Sequence, residues 1–237
     1  MIAKRIPTIL PDLTFEEALE VTKIHSIAGA LDNKDGIIMN RPIRSPHHTT
    51  TMLALTGGGT KAKPGEISLA HNGVLFLDEM PEYDKKLIET LRQPLEDNEI
   101  TIARNTQTVK YPANFTLIAS MNPCPCGYYG SSTHQCKCTP SQIHKYLNKL
   151  SGPIMDRIDL HIEVDSVTYD DINSNTEEEN SEKVKERVNK ARKIQQERFK
   201  GKIHSNSEMS SQMVKKYCVL SASCEALIKT AFERFNL

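Results

Sequence analysis

Net charge is missing from this sequence: thirty basic and thirty acidic side chains cancel over 237 residues. No global field draws such a chain to a polyanion or a membrane surface, so any contact of that kind has to be local, as in a basic pore or groove. No apolar run approaches the roughly eighteen residues of a membrane span, and Met1 to Leu13 lacks the long apolar centre of a secretory leader. The expectation is a soluble, cytoplasmic protein. A phosphate loop is missing too. Gly57-Gly58-Gly59-Thr60-Lys61 supplies glycines, but Lys61 runs into Ala62-Lys63-Pro64-Gly65 where the motif needs Ser or Thr opening a helix. A mobile loop is expected there instead.

What is present supports a sizeable core, at 38% hydrophobic residues. Thr14-Phe15-Glu16-Glu17 is a capping box, and Ala18, Val21, Ile24 and Ile27 continue it as an amphipathic helix ending near Gly29. Met1 to Ile6 reads as the end of a helix. Pro81 opens another, with Leu87, Ile88, Leu91 and Leu95 as its stripe and Pro94 straining its last turn. Glu99 to Ala103 and Val109 to Pro112 alternate as the arms of a projecting hairpin, and Phe115 to Ser120 reads as a buried strand. Ile158, Leu160, Ile162 and Val164 alternate with polar residues, which predicts a further strand. Beyond an acidic stretch, Glu182 to Lys200 and a segment capped by Ser221 are helical, with Cys218 and Cys224 as small core residues. Interleaved strands and helices followed by helices alone predict an α/β domain with a helical appendage.

Val74-Leu75-Phe76-Leu77-Asp78-Glu79 carries the chemistry. Four apolar residues suit a strand covered on both faces of a parallel sheet, and its carboxyl end is where ligands of open α/β sheets sit. An Asp there can hold Mg²⁺ through water while the next Glu polarises a water attacking a γ-phosphate. An ordinary strand followed by an acidic turn fits the same residues. Asn122-Pro123 follows the second strand, where the amide reaches a γ-phosphate or simply opens a turn. Arg157, between Asp156 and Asp159, serves either a local ion pair or a neighbouring subunit's phosphoryl-transfer site. Cys124, Cys126, Cys136 and Cys138 form two C-x-C pairs, suited to Zn²⁺ or to disulfides within a loop. Arg104 and Lys110 sit on the hairpin, as phosphate contacts or as a solvated tip.

Arg41-Pro42-Ile43-Arg44-Ser45-Pro46-His47-His48, Lys63 to Glu79, Leu91 to Glu96, Asn122 to Gly127 and Leu150-Ser151-Gly152-Pro153 with Asp156-Arg157-Ile158-Asp159 occur in an order that resembles the magnesium chelatase-like AAA+ ATPases of the ComM (YifB) family. The resemblance implies an α/β AAA+ P-loop-type parallel sheet with helices on both faces and a partial helical lid. It divides the chain into a core at 1–165, with a helix-2 insert hairpin at 99–112 and a Cys loop at 124–138, a linker at 166–181 and the partial lid at 182–237. It makes Asp78 and Glu79 a Walker B pair, Asn122 the sensor 1 residue, Arg157 an arginine finger, and Arg104 and Lys110 contacts to DNA in the pore of a hexameric ring. ATP, Mg²⁺ and Zn²⁺ are the implied cofactors. The implied activity is ATP-driven branch migration on single-stranded or branched DNA during natural transformation. By the same resemblance Met1 would directly follow a Gly-Lys-Ser/Thr loop and the lid's sensor 2 arginine would lie beyond Leu237. The expectation is therefore a motor excerpt that hydrolyses no ATP by itself. A chelatase-type protein remodeller and a non-catalytic zinc-stabilised module are the alternatives.

Overall fold

A computed structural model describes residues 5–31, 36–103, 108–131, 133–164, 179–201, 203 and 205–235. Met1 to Lys4, Arg104 to Gln107 and most of the expected linker lie outside the described residues. The chain divides into two units, residues 1–179 and 180–237.

In the first unit, helix α1 (Phe15–Ala28) begins and ends where its signals place it. The Thr14 and Glu17 side chains each accept the other's backbone N–H, and Gly29 closes the helix at φ 74°. Arg41 then ties α1 to the sheet: its guanidinium donates to the Pro11 carbonyl at 2.6 Å and the Asn72 carbonyl at 2.7 Å, and pairs with Glu17 at 3.1 Å. Strand β1 (Ile43–Arg44) follows, then helix α2 (Met52–Thr56), the ribbon strands β2 (Gly57–Gly58) and β3 (Lys63–Pro64), and helix α3 (Glu66–Leu69). The glycine triplet is therefore a paired turn and not the mobile loop expected. A Cβ at Gly57 would lie 2.4 Å from the Lys63 carbonyl, which is why the ribbon closes only with glycine there.

Strand β4 (Val74–Leu77) is the centre of a parallel sheet ordered β1-β4-β7, where β7 is Thr116–Ala119. Its neighbours explain its composition, since Val74, Leu75 and Leu77 have no exposed surface at all. Between β4 and β7 the expected single helix is split into α4 (Lys85–Glu89) and α5 (Arg92–Asp97). Pro94 decides this: it lacks an N–H and is accommodated in the first turn of α5, where no intrahelical bond is lost. The hairpin is as expected, with β5 (Glu99–Ala103) antiparallel to β6 (Thr108–Pro112). Its base is fastened by buried Ile100, Ile102 and Tyr111, the last donating its hydroxyl to the Ala62 carbonyl at 2.9 Å. Helices α6 (Pro140–Leu147) and α7 (Gly152–Met155) complete the unit.

Two strand expectations need correction. β7 is only half-buried, because no described strand pairs with its outer edge. Residues 158–164 form no strand: Leu160, Ile162 and Val164 are about four-fifths exposed at 80%, 80% and 78%. Alternation alone does not make a strand when no neighbouring backbone receives its hydrogen bonds. The third strand of the sheet is β1 instead.

The regular elements described in the second unit are all helical, as expected, and the α-helices are α8 (Ser181–Phe199), α9 (Ser211–Tyr217) and α10 (Ala222–Phe235). Phe199 is buried with its ring edge-on to Tyr217, the centroids 5.7 Å apart. Cys218 and Cys224 are exposed, contrary to the core role expected of them.

Candidate functional site

Parallel pairing of Leu77 with Ala119 sets the next residues of both strands, Asp78 and Ser120, side by side. Ser120 exploits that placement fully. Its hydroxyl donates to the Asp78 carboxylate and accepts the Glu79 N–H at 3.2 Å, while its carbonyl accepts the Met80 N–H at 2.9 Å. Its own N–H donates to the Leu77 carbonyl at 3.0 Å. Glu79 turns the chain with a left-handed φ of 54°, a conformation that costs a residue with a side chain on the order of 1–3 kcal/mol. Ser120 holds that turn. Both carboxylates emerge exposed at the carboxyl end of a fully buried strand, where a hydrated Mg²⁺ can reach them.

Two buried tyrosines flank this edge. Burial pushes the Tyr83 hydroxyl up to about 12, with the Asp78 charge adding to the effect, so it stays a donor at neutral pH. It donates to the Pro46 carbonyl at 2.5 Å, tethering the segment of His47 and His48 beside the acidic turn. Tyr146 of α6 is also raised, chiefly by burial, against an Asn122 backbone N–H that favours its ionised form; the charges of Glu82 and Glu79 raise it further. Tyr146 thereby joins Asn122 to the acidic edge. The Asn122 side chain itself is exposed beyond β7.

Arg157 stands apart from that group. Its Nη1 donates to the Pro153 carbonyl at 2.5 Å and its guanidinium pairs with Glu96 of α5. The local ion pair weighed from the sequence is thus present. Lys110 pairs with Glu99 at 2.5 Å across the exposed hairpin, and Arg104 lies outside the described residues.

The four clustered cysteines converge. All four sulfurs lie within 4.8 Å of one another, and those of Cys124, Cys126 and Cys136 are 3.4 to 3.8 Å apart. A disulfide needs about 2.05 Å, whereas four sulfurs about 2.3 Å from one zinc ion stand about 3.8 Å apart. The spacing fits a tetrahedral thiolate site. Backbone N–H groups of Lys137 and Tyr128 bring Cys126 down to about 6, which favours the thiolate a metal requires. Tyr129 N–H similarly donates to the Cys124 sulfur at 3.3 Å.

Sequence reasoning missed Ser120, Tyr83 and Tyr146. Ser120 was accessible from strand register alone, being the residue after the second strand as Asp78 is after the first. The tyrosines carried no local signal, because tertiary packing alone brings them to the edge.

Residues 1–172 match the family profile of magnesium chelatase, subunit ChlI, and residues 178–237 match that of its C-terminal region. The chain is 44% identical over 238 residues to the competence protein ComM of Haemophilus influenzae, covering 100% of this chain and 46% of that protein. It is 43% identical over 224 residues to the protein YifB of Escherichia coli, covering 94% of this chain and 43% of the relative. It thus spans about half the length of the curated relatives it matches. A solved structure of NtrX from Brucella abortus in complex with ATP overlaps 50% of this chain and 25% of that one, at 18% identity and a TM-score of 0.35. Among the described residues no helix is long and apolar enough to cross a membrane. Profile matches along nearly the whole chain, together with a parallel α/β sheet ending in Asp78 and Glu79, place this protein in the magnesium chelatase-like AAA+ family, in its ComM and YifB branch.

Proposed function

We propose that this chain is the catalytic portion of a Mg²⁺-dependent AAA+ ATPase that works on DNA as a hexameric ring and drives branch migration during transformation. The observation that carries the reading is the Ser120 clamp, which holds Asp78 and Glu79 at the carboxyl edge of a buried parallel strand. In this assignment Asp78 holds Mg²⁺ through water, Glu79 polarises the attacking water and Asn122 contacts the γ-phosphate or that water. Magnesium, when bound, supplies charge neutralisation on the phosphates. Arg157 leaves Glu96 to stabilise the transition state in the next subunit's site. Arg104 and Lys110 on the hairpin contact DNA, and the four cysteines hold Zn²⁺ as a structural ion. The competence name of the Haemophilus relative supports a role with incoming DNA.

A mixing experiment tests the shared site, using the protein at the length of its relatives. Glu79→Gln subunits keep a working Arg157, and Arg157→Ala subunits keep a working Glu79. Each homogeneous ring is expected to be inactive, whereas an equal mixture regains about a quarter of wild-type turnover, since random assembly pairs a good site with a good arginine about that often. A mixture as inactive as its parents removes Arg157 from the neighbour's site. Stimulation of wild-type turnover by single-stranded DNA separates the motor on DNA from a chelatase-type protein remodeller.

A further inference from the structure

We propose that the open cleft between the start of α4 and the outward face of α6 is a track for the phosphate backbone of single-stranded nucleic acid, separate from the hairpin. The inference rests on the reading above that this protein acts on DNA, and adds a site on the face of the helix that carries Tyr146.

The cleft measures about 850 Å³ and is lined by Lys85, Ser141, His144, Lys145 and Lys149, with Pro140 and Asn148 completing it. Among the described residues no carboxylate lines it. In a chain whose charges cancel overall, an opening of one sign is a local field. Lys149 is shared with Glu82 at 3.3 Å, but Lys85 and Lys145 have no carboxylate partner among the described residues. The Asn148 amide N–H donates to His144 Nδ1 at 2.7 Å, which leaves the proton on Nε2 and makes that nitrogen a donor. The cleft therefore offers ammonium groups, an imidazole N–H and a hydroxyl, a set matched to phosphodiester oxygens. Its shape argues against a free nucleotide, because the opening is too wide to enclose a base on its faces. Lysines act as point charges that tolerate a sliding backbone, unlike the fixed fork of arginine.

Exposed rings suited to bases precede it in the sequence. Helix α6 begins at Pro140, immediately after Thr139 and Cys138, and the cysteine loop exposes Tyr128 and Tyr129. The Tyr128 ring already stacks on His134, centroids 4.9 Å apart at 22°. Such rings stack on bases without regard to sequence.

The test is the fluorescence anisotropy of a labelled oligothymidine titrated with this chain at salt between about 50 and 200 mM. The Lys85→Gln/Lys145→Gln variant is expected to bind at least about fivefold more weakly, with the slope of log affinity on log salt reduced by about 1.4, or about 0.7 for each lost phosphate contact. Lys85→Arg/Lys145→Arg, which preserves charge, retains binding. Wild-type binding with affinity and slope untouched by the glutamine variant overturns the cleft and leaves the DNA reading standing. No binding by the wild-type chain at the lowest salt overturns both. Displacement of the oligothymidine by inorganic phosphate at matched ionic strength shows a site for the free ion and overturns the proposal.

Discussion

Glu79→Gln, in the protein at the length of its relatives, is expected to slow ATP turnover by about a hundredfold to ten-thousandfold while nucleotide affinity stays within about threefold. The asymmetry follows from the geometry. Glutamine preserves the shape of Glu79, and the bond that Ser120 receives comes from the backbone N–H, so the left-handed turn survives the change. What is lost is the negative charge that, in the proposed role, polarises water. Asp78→Asn has the opposite signature, weakening Mg²⁺-dependent nucleotide binding as well as turnover, because Asp78 is the carboxylate assigned to the ion. Nucleotide binding by a fluorescent analogue and phosphate release, measured side by side, separate the two roles. Equal loss of binding and turnover in Glu79→Gln contradicts its assignment.

Cys136→Ser gives the second large effect. The wild-type chain, purified without chelator, is expected to carry about one equivalent of zinc, and the variant less than about half of one. A serine hydroxyl does not ionise near neutral pH, so three thiolates remain around an ion that the 3.4 to 3.8 Å sulfur spacing arranges for four. The loss should travel beyond the loop. Cys124 and Tyr146 are both buried, and the Asn122 N–H and the Cys124 sulfur both act on the Tyr146 hydroxyl, which ties the loop, α6 and the segment that follows β7 together. Metal content by emission spectrometry and the melting temperature both report it, and a wild-type chain with less than about half an equivalent contradicts the site.

The legible parts of this protein were those that local chemistry controls. Thr14, Glu17 and Gly29 bound α1 because capping is settled within a few residues, and β4 was visible because a strand covered on both faces has to be apolar throughout. The chelating pattern of the cysteines was legible in spacing, but only their convergence separates a metal site from disulfides. Residues 158–164 misled because alternation records a preference that a partner strand has to realise. Cys218 and Cys224 misled for a related reason: small apolar character allows burial without requiring it. At the acidic edge, Asp78 and Glu79 were plain in the sequence, whereas Tyr83 and Tyr146 arrive from elements whose own residues say nothing of that edge. The partner of Arg157 was undetermined until Glu96 of α5 was placed against it.

The central proposal is that Asp78 and Glu79 are the hydrolytic carboxylates of a nucleotide site, in a sequence that holds no Gly-Lys-Ser/Thr phosphate loop. Phosphate release at saturating Mg²⁺ and ATP tests it most directly, comparing this 237-residue chain with the protein at the length of its relatives. The account predicts Mg²⁺-dependent turnover that single-stranded DNA raises in the longer protein, and none from the chain alone. Turnover by the chain alone that Glu79→Gln abolishes, or no turnover by the longer protein under any of these conditions, contradicts it.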